Sequence, residues 1–168
     1  LPACIALLDG EGTVISTNAR WNQYENPRNP LIHGCRQGSN YLRACDLLSD
    51  TPGDISRIAA SVLQLMAGIS QHVTHDYKIT DLNGQSWFEF IGNRFVGRTG
   101  PMVVVSHTDI SERKELEEQL VASRELFLLI SEHMEDLLSI IDAKGHRIYS
   151  SPSYARALGY DEEEIKTL

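Results

Sequence analysis

The stretch Leu7-Leu8-Asp9-Gly10-Glu11-Gly12-Thr13-Val14-Ile15 returns later in the chain as Ile140-Ile141-Asp142-Ala143-Lys144-Gly145-His146-Arg147-Ile148. Asp9 and Asp142, Gly12 and Gly145, and Ile15 and Ile148 are each 133 positions apart. In both copies an apolar run meets an Asp- and Gly-bearing turn and a second apolar run follows, the pattern of a β-hairpin. A short aromatic-bearing helix is expected after each hairpin, with Trp21 and Tyr24 in the first copy and Tyr154 and Tyr160 in the second. The chain is therefore expected to hold two copies of one module, the second stopping after its first helix.

Outward from the first hairpin, Asn18 is placed to cap the short helix, and Pro27 and Pro30 are expected to end it. Residues 26–40, rich in Asn, Pro, Gly and Gln, read as a loop. Tyr41 to Leu48 suits a short helix with Leu42 and Cys45 on one face. Asp54 is placed to cap a longer helix in which Ile55, Ile58, Ala59, Val62, Leu63 and Met66 fall at helical spacing, and Gly68 stops it. The period then changes to two. Val73, His75, Tyr77 and Ile79 alternate with Thr74, Asp76, Lys78 and Thr80, and Asn83-Gly84 is a strong hairpin turn. Strands over 85–96 and 102–108 bring the total to five. Consecutive hairpins make the sheet antiparallel, so the fold class is α+β. A one-residue slip would exchange Tyr77 for Lys78 on the inner face.

The 168 residues suffice for one ordinary domain, or for one small domain and part of another. A hydrophobic content of 42% supplies a core, and a net charge of −8 argues against a nucleic-acid backbone as partner. No apolar run approaches the length of a membrane span. Cys4, Cys35 and Cys45 are an odd count with no CxxC pair, which speaks against a disulfide framework or a zinc site and fits a reducing cytosol. The opening Leu1-Pro2-Ala3, with no signal-peptide pattern, gives the expectation of a piece of a longer cytoplasmic protein.

Beyond Ile110, Leu116, Leu120, Ser123, Phe127, Ile130, Met134 and Leu137 recur at alternating spacings of four and three, flanked by Glu, Lys and Arg. That is a heptad seam. One amphipathic helix packed on its own domain would show a similar stripe. Seven positions in unbroken register favour a parallel coiled-coil pair over residues 111–138.

At this point the sequence resembles the PAS sensory-domain family. Leu8-Asp9-Gly10-Glu11-Gly12 is similar to the family's opening hairpin. Val105-Ser106-His107-Thr108-Asp109-Ile110-Ser111-Glu112-Arg113-Lys114 matches the Asp-Ile-Thr/Ser-Glu-Arg-Lys signature that closes many bacterial PAS domains. Ile141-Asp142 through Ser150-Ser151-Pro152-Ser153 and Leu158-Gly159-Tyr160-Asp161 resemble the start of another. The resemblance implies a five-stranded antiparallel sheet with helices on one face around a ligand pocket. It divides the chain into a PAS domain without its N-terminal helix (1–110), a linker helix (111–138) and a truncated second PAS domain (139–168). It also implies a larger signalling protein, a histidine kinase or a diguanylate cyclase.

A pocket between the inner sheet face and the helices would be lined by Trp21, Tyr41, Met66, Tyr77, Phe88 and Phe90, each of which also suits an ordinary core. Asp109, Ile110, Ser111, Glu112 and Arg113 join sheet to helix and are the candidates for signal transmission. Asp109 and Glu112 have capping-box spacing, and Arg113 is placed either to pair with an acidic group at the sheet edge or to be solvated. Of six histidines, His72 and His75 point to opposite faces of one strand and His33 falls in the loop; the resemblance implies that a haem-binding member would carry its ligating His on a helix, and the helix over 54–67 contains none, so haem is not expected. Light-oxygen-voltage flavoproteins, a rival within the resemblance, carry Asn-Cys-Arg-Phe-Leu-Gln around a reactive thiol. Gly34-Cys35-Arg36-Gln37-Gly38 keeps only Cys-Arg, so Cys35 reads as an incidental loop thiol and a covalent flavin adduct is not expected. The cofactor, if any, stays unassigned. His133 lacks the Arg-Thr-Pro-Leu continuation of a phospho-accepting helix and reads as a solvated position. No catalytic or metal constellation is present in the sequence.

Overall fold

A computed structural model describes residues 3–24, 28–48, 54–81, 84–98, 100–134 and 136–159. The chain forms two compact units, Leu1–Lys114 and Glu115–Leu168. The first is built on five strands, β1 (Cys4–Leu8), β2 (Val14–Thr17), β3 (His72–Asp81), β4 (Gly84–Gly97) and β5 (Gly100–Asp109). Four helices lie between β2 and β3 in the chain: α1 (Ala19–Asn22), α2 (Pro30–Gly34), α3 (Tyr41–Leu47) and α4 (Ile55–Met66). The strand order is β2-β1-β5-β4-β3 and every pairing is antiparallel. This is the α+β architecture, with five strands and flanking helices, that the PAS resemblance implies.

Period-two alternation sets the faces. Ala6 and Leu8, Tyr77 and Ile79, Phe88 and Phe90, and Val103 and Val105 are all buried on the inner face. Over them lie Trp21, Leu31, Ile32, Tyr41, Cys45, Ile58, Val62 and Leu65 from the helices. Each fully buried large apolar side chain contributes roughly 1.5–3 kcal/mol, so the helical layer is held to the sheet chiefly by this face. Tyr77, paired with Phe88, points inward and Lys78 outward, which settles the register.

The readings of Pro30 and Asp54 need correction. Pro30 starts a helix instead of ending one: α2 lies within the stretch that reads as a loop, with Pro30 in its first turn and Asn29 as its cap. Proline fits there because the first helical N–H has no intrahelical partner to lose. Asp54 sits at the cap position of α4 but makes no side-chain cap bond; its carboxylate accepts from Lys78 N at 3.4 Å instead. Cys35 follows the end of α2, outside any helix or strand as read, and is fully buried. The ends of α1 and α4 agree with the reading. Asn18 accepts from Trp21 N at 2.9 Å, and beyond α4 the bonds Gly68 N to Leu65 O (3.1 Å) and Ile69 N to Gln64 O (3.0 Å) close the helix end. Asn83, half of the expected turn, lies outside the described residues; Gly84 opens β4 opposite Asp81.

The second unit repeats the first hairpin bond for bond. β6 (Ser139–Ile141) and β7 (Arg147–Ser150) pair Ser139 with Ser150, Ile140 with Tyr149 and Ile141 with Arg147, as β1 and β2 pair Ala6 with Thr17, Leu7 with Ser16 and Leu8 with Val14. The register shift falls at the same place in both, between Leu7 and Leu8 and between Ile140 and Ile141. Asp9 Oδ1 accepts from Glu11 N and Thr13 N, and Asp142 Oδ1 from Lys144 N and His146 N. Gly12 and Gly145, with φ of +83° and +89°, hold a backbone conformation that other residues adopt at a cost. A short helix, α6 (Pro152–Leu158), follows; Tyr160 lies outside the described residues.

Helix α5 (Ser111–His133) is continuous over 23 residues. Five of the seven seam positions lie on it; Met134 and Leu137 fall beyond its end, so the helix is shorter than the expected 111–138 span. Within the second unit Phe127 packs edge-on against Tyr149 at 5.2 Å, and Ser131 is buried.

One close approach is specific enough to test. A Cβ on Gly92 of β4 would lie 2.5 Å from Leu65 Cδ1 of α4. Gly92→Ala is expected to lower the unfolding free energy by about 1–3 kcal/mol through overpacking, measured by urea denaturation; Gly34→Ala, with nothing within 4 Å, serves as the control.

Candidate functional site

Alternation along β5 carries Val103 and Val105 inward and then His107, 1% exposed, at the next inner position. Its ring is bonded at both nitrogens. Nε2 lies 2.8 Å from Tyr41 Oη on α3, and Nδ1 lies 2.7 Å from Tyr77 Oη on β3. Tyr77 Oη also accepts from Asn29 Nδ2 at 2.6 Å. Asn29 is itself fully buried, and its Oδ1 accepts from Ile32 N at 3.3 Å as the α2 cap. One chain of hydrogen bonds thus links α2, β3, β5 and α3 through the core.

Burial dominates the electrostatics. Desolvation, with a smaller contribution from His75, pushes the His107 pKa down to about 3, so the imidazole is neutral. Desolvation likewise raises Tyr41 and Tyr77 well above the usual phenol range, against the lowering effect of the Asn29 bond on Tyr77. Burial pushes the Cys35 thiol up to about 11 and Cys45 up to about 12, so both stay protonated and unreactive.

Five of the six candidate pocket residues come together here. Ring centroids of Trp21, Tyr41, Tyr77 and Phe90 lie 5.7, 6.1, 5.7 and 5.4 Å from that of His107, and Phe88 stacks on Tyr77 at 5.5 Å. Trp21 Nε1 donates to Cys35 O at 2.9 Å. Met66, half-buried at the end of α4 beside Gly12 and Leu42, packs against the same core without a ring contact of its own. His107 and Asn29 are absent from the sequence candidates. The signal for His107 was present: it continues the inward alternation of Val103 and Val105. Nothing local marks Asn29, whose partner Tyr77 is 48 residues away. His33 lies exposed on α2, not in a loop; His72 Nδ1 bonds Asn93 Oδ1 at 2.8 Å, and His133 is exposed at the end of α5. Among the described residues no His, Cys, Asp or Glu group is arranged to hold a metal ion.

The junction of β5 with α5 forms a second cluster on the outer face. Asp109 is still a strand residue, paired with Phe88, and its carboxylate accepts from Ser111 N at 3.0 Å. Because the helix starts at Ser111, Ile110 takes the cap position, and the Asp109–Glu112 pair, though at capping-box spacing, sits one residue too early to form the box. The start is tied to the neighbouring strand instead. Ile110 N donates to Trp87 O at 2.9 Å, and Ser111 Oγ accepts from Trp87 N at 3.0 Å. Lys114 Nζ lies 2.8 Å from Asp76 Oδ2 and 5.4 Å from the Trp87 ring centroid, while Arg113 approaches Asp76 at 3.9 Å.

No family model matches the chain. An uncharacterized 104.1 kDa protein in the hypE 3'region of Rhodobacter capsulatus is 28% identical over 111 residues, 64% of this chain and 11% of that protein. The chain therefore spans a small part of that relative's length. Similar solved structures are PAS domains and sensor proteins. The PAS domain of BvgS from Bordetella pertussis is 16% identical, with a TM-score of 0.44 over 74% of this chain and 88% of that one. The PAS domain of an HTR-like protein from Haloarcula marismortui is 18% identical, with a TM-score of 0.40 over 65% and 82%. A sensory box sensor histidine kinase from Vibrio cholerae is 14% identical, with a TM-score of 0.43 over 66% and 83%.

A neutral buried histidine makes stability fall in acid. The unfolded chain takes up a proton near the ordinary His pKa of 6.5, whereas folded His107 does so only near 3. Between those values each pH unit shifts the equilibrium toward unfolding by about tenfold, and above pH 7 the contribution is flat. Denaturation midpoints from pH 7 to 5 are expected to fall in the wild type and to fall less in His107→Gln, by about one proton per chain. An unchanged slope would refute the assignment. His75, also lowered by burial, adds a background slope common to both.

Proposed function

We propose that the chain is the signal-input part of a larger cytoplasmic sensor protein, a PAS-type module followed by the start of a second, and that it performs no reaction of its own. In this reading a small molecule or partner biases the packing around His107, and the bias passes through residues 109–113 into α5. The helix pairs in parallel with its twin along Leu116, Leu120, Ser123, Phe127 and Ile130, and an effector follows. A histidine kinase is the preferred effector and a diguanylate cyclase the alternative.

The observation that carries this reading is the double use of β3 and β4. Their inward residues Tyr77 and Phe88 belong to the His107 cluster, while their outward residues Asp76 and Trp87 hold the first turn of α5. A displacement of these strands from inside reaches the helix start within one residue of backbone. Exposed apolar side chains on α5 support pairing: Leu116, Leu120 and Ile130 are 59%, 72% and 51% exposed. Phe127 is shared, since Tyr149 already covers one edge of its ring.

A dimerising spacer that binds nothing is the second reading, favoured by the direct contact of the core rings with one another. Inserting one residue after Ser123 in the full-length protein separates the two. The insertion rotates everything beyond it by about 100°, so a transmitting helix is expected to lose or invert its output, measured as effector activity. Unchanged output sinks the transmission reading.

A further inference from the structure

Four buried side chains of the first unit, Asn29, Tyr77, His107 and Tyr41, are bonded end to end. The first bond has a fixed direction. Asn29 Oδ1 is engaged by Ile32 N, so Nδ2 donates to Tyr77 Oη at 2.6 Å. The two bonds to the imidazole do not. A neutral ring carries one proton, on Nε2 or on Nδ1, and a phenol both donates and accepts. With the proton on Nε2, the ring donates to Tyr41 at 2.8 Å and Tyr77 donates to Nδ1 at 2.7 Å. With it on Nδ1, the ring donates to the second lone pair of Tyr77 Oη and Tyr41 donates to Nε2. Both arrangements close all three bonds between the same atoms. Each leaves one hydroxyl proton over, that of Tyr41 in the first and that of Tyr77 in the second. Both ring partners are phenols that burial keeps neutral, so no charge on them pins the proton to one nitrogen.

We propose that His107 is a two-position proton relay between α3, which carries Tyr41, and β3, which carries Tyr77: the ring proton occupies either nitrogen, and its position decides which phenol is the donor. Buried polar groups avoid being left unpaired, and that gives the relay its direction. When Tyr41 is drawn off the ring, a proton on Nε2 leaves one ring group unpaired, the N–H itself. A proton on Nδ1 leaves two groups, the bare Nε2 and the Tyr77 hydroxyl. The proton therefore goes to Nε2, and Tyr77 becomes the donor. When Tyr77 is drawn off, the same count sends the proton to Nδ1 and makes Tyr41 the donor. A displacement of α3 thus reaches β3 as a reversal of Tyr77 from acceptor to donor. On that strand Asp76, the neighbour of Tyr77, lies 2.8 Å from Lys114 Nζ in the first turn of α5. The part the relay plays in signalling rests on the sensor reading above; the two positions of the proton do not.

The test reads the ring itself. In the isotope-labelled chain at neutral pH, long-range proton–nitrogen NMR correlations distinguish the protonated from the bare ring nitrogen of His107. In the wild type the two tautomers are expected within about tenfold of each other, since both make the same number of bonds. Tyr41→Phe should move the proton to Nε2 and Tyr77→Phe should move it to Nδ1, each by about tenfold or more, because one tautomer then leaves an extra buried group unpaired. Phe keeps each aromatic ring in the core, and the wild-type spectrum depends on no variant folding. A wild-type ring held in one tautomer, or substitutions that move the proton the same way or not at all, overturns the relay. In the full-length protein the two substitutions are expected to shift effector output in opposite directions. Output equal to the wild type in both, with the tautomers opposite, overturns the part of the relay in signalling. The ring measurement involves no effector, so its failure is distinct from a failure of transmission, which the insertion after Ser123 decides.

Discussion

A neutral imidazole occupies a place where strand alternation calls for an apolar side chain, and the core is arranged around it. Burying His107 uncharged is tolerable only because both ring nitrogens are bonded, to Tyr41 and to Tyr77. Those partners sit on α3 and β3, and Asn29 extends the chain to α2. Apolar packing sets how tightly the helices lie on the sheet but is indifferent to small slides. Directional bonds between groups 66, 30 and 48 residues apart in sequence are not. They fix which helix faces which strand, and loss of one leaves a buried polar atom behind.

The same strands serve two faces. On β3, Tyr77 faces the core between Asp76 and Lys78, which face outward; on β4, Phe88 follows Trp87; and His107 stands two residues before Asp109, where β5 ends. Lys78 and Lys114 both lie over the Trp87 ring, at 5.7 and 5.4 Å. The partly exposed ion pairs of this outer cluster are individually weak. The bonds of Ile110 N and Ser111 Oγ to the Trp87 backbone are short-range and directional, so the beginning of α5 follows β4 more closely than its charges alone would require.

The elements legible in the sequence are those whose signal is periodic or local. The helical stripe from Ile55 to Met66 and the Asp–Gly hairpins close their backbone bonds locally, and the alternation over residues 73–80 is written in the strand's own period, so short stretches of sequence suffice to find them. Residues 26–40 mislead because Asn29 and Pro30 look like loop formers and are here a cap and a first-turn proline. The Asp109–Glu112 spacing misleads by one residue, because strand pairing holds Asp109 in the ladder. The polar chain through the core was the least legible part. Its members are scattered at positions 29, 41, 77 and 107; Tyr41 and Tyr77 read as inner-face residues and His107 is marked by its place on the strand, but nothing local marks Asn29 or the bonds that join the four.

The repeat carries a physical consequence beyond its sequence likeness. Asn18 Oδ1 accepts from Ile5 N, and Ser151 Oγ accepts from Leu138 N at the matching position. Asn18 N donates to Ile5 O, and Ser151 N to Leu138 O. A different residue type makes the same bond, so the hairpin closes through its geometry and not through one preferred side chain. In the first unit β1 also pairs along its other edge with β5, which turns a marginal hairpin into part of a sheet. The second hairpin draws instead on α5, through Phe127 and Tyr149. That contact uses a seam position which helix pairing would also bury, so docking of the hairpin and pairing of the helix draw on the same apolar ring.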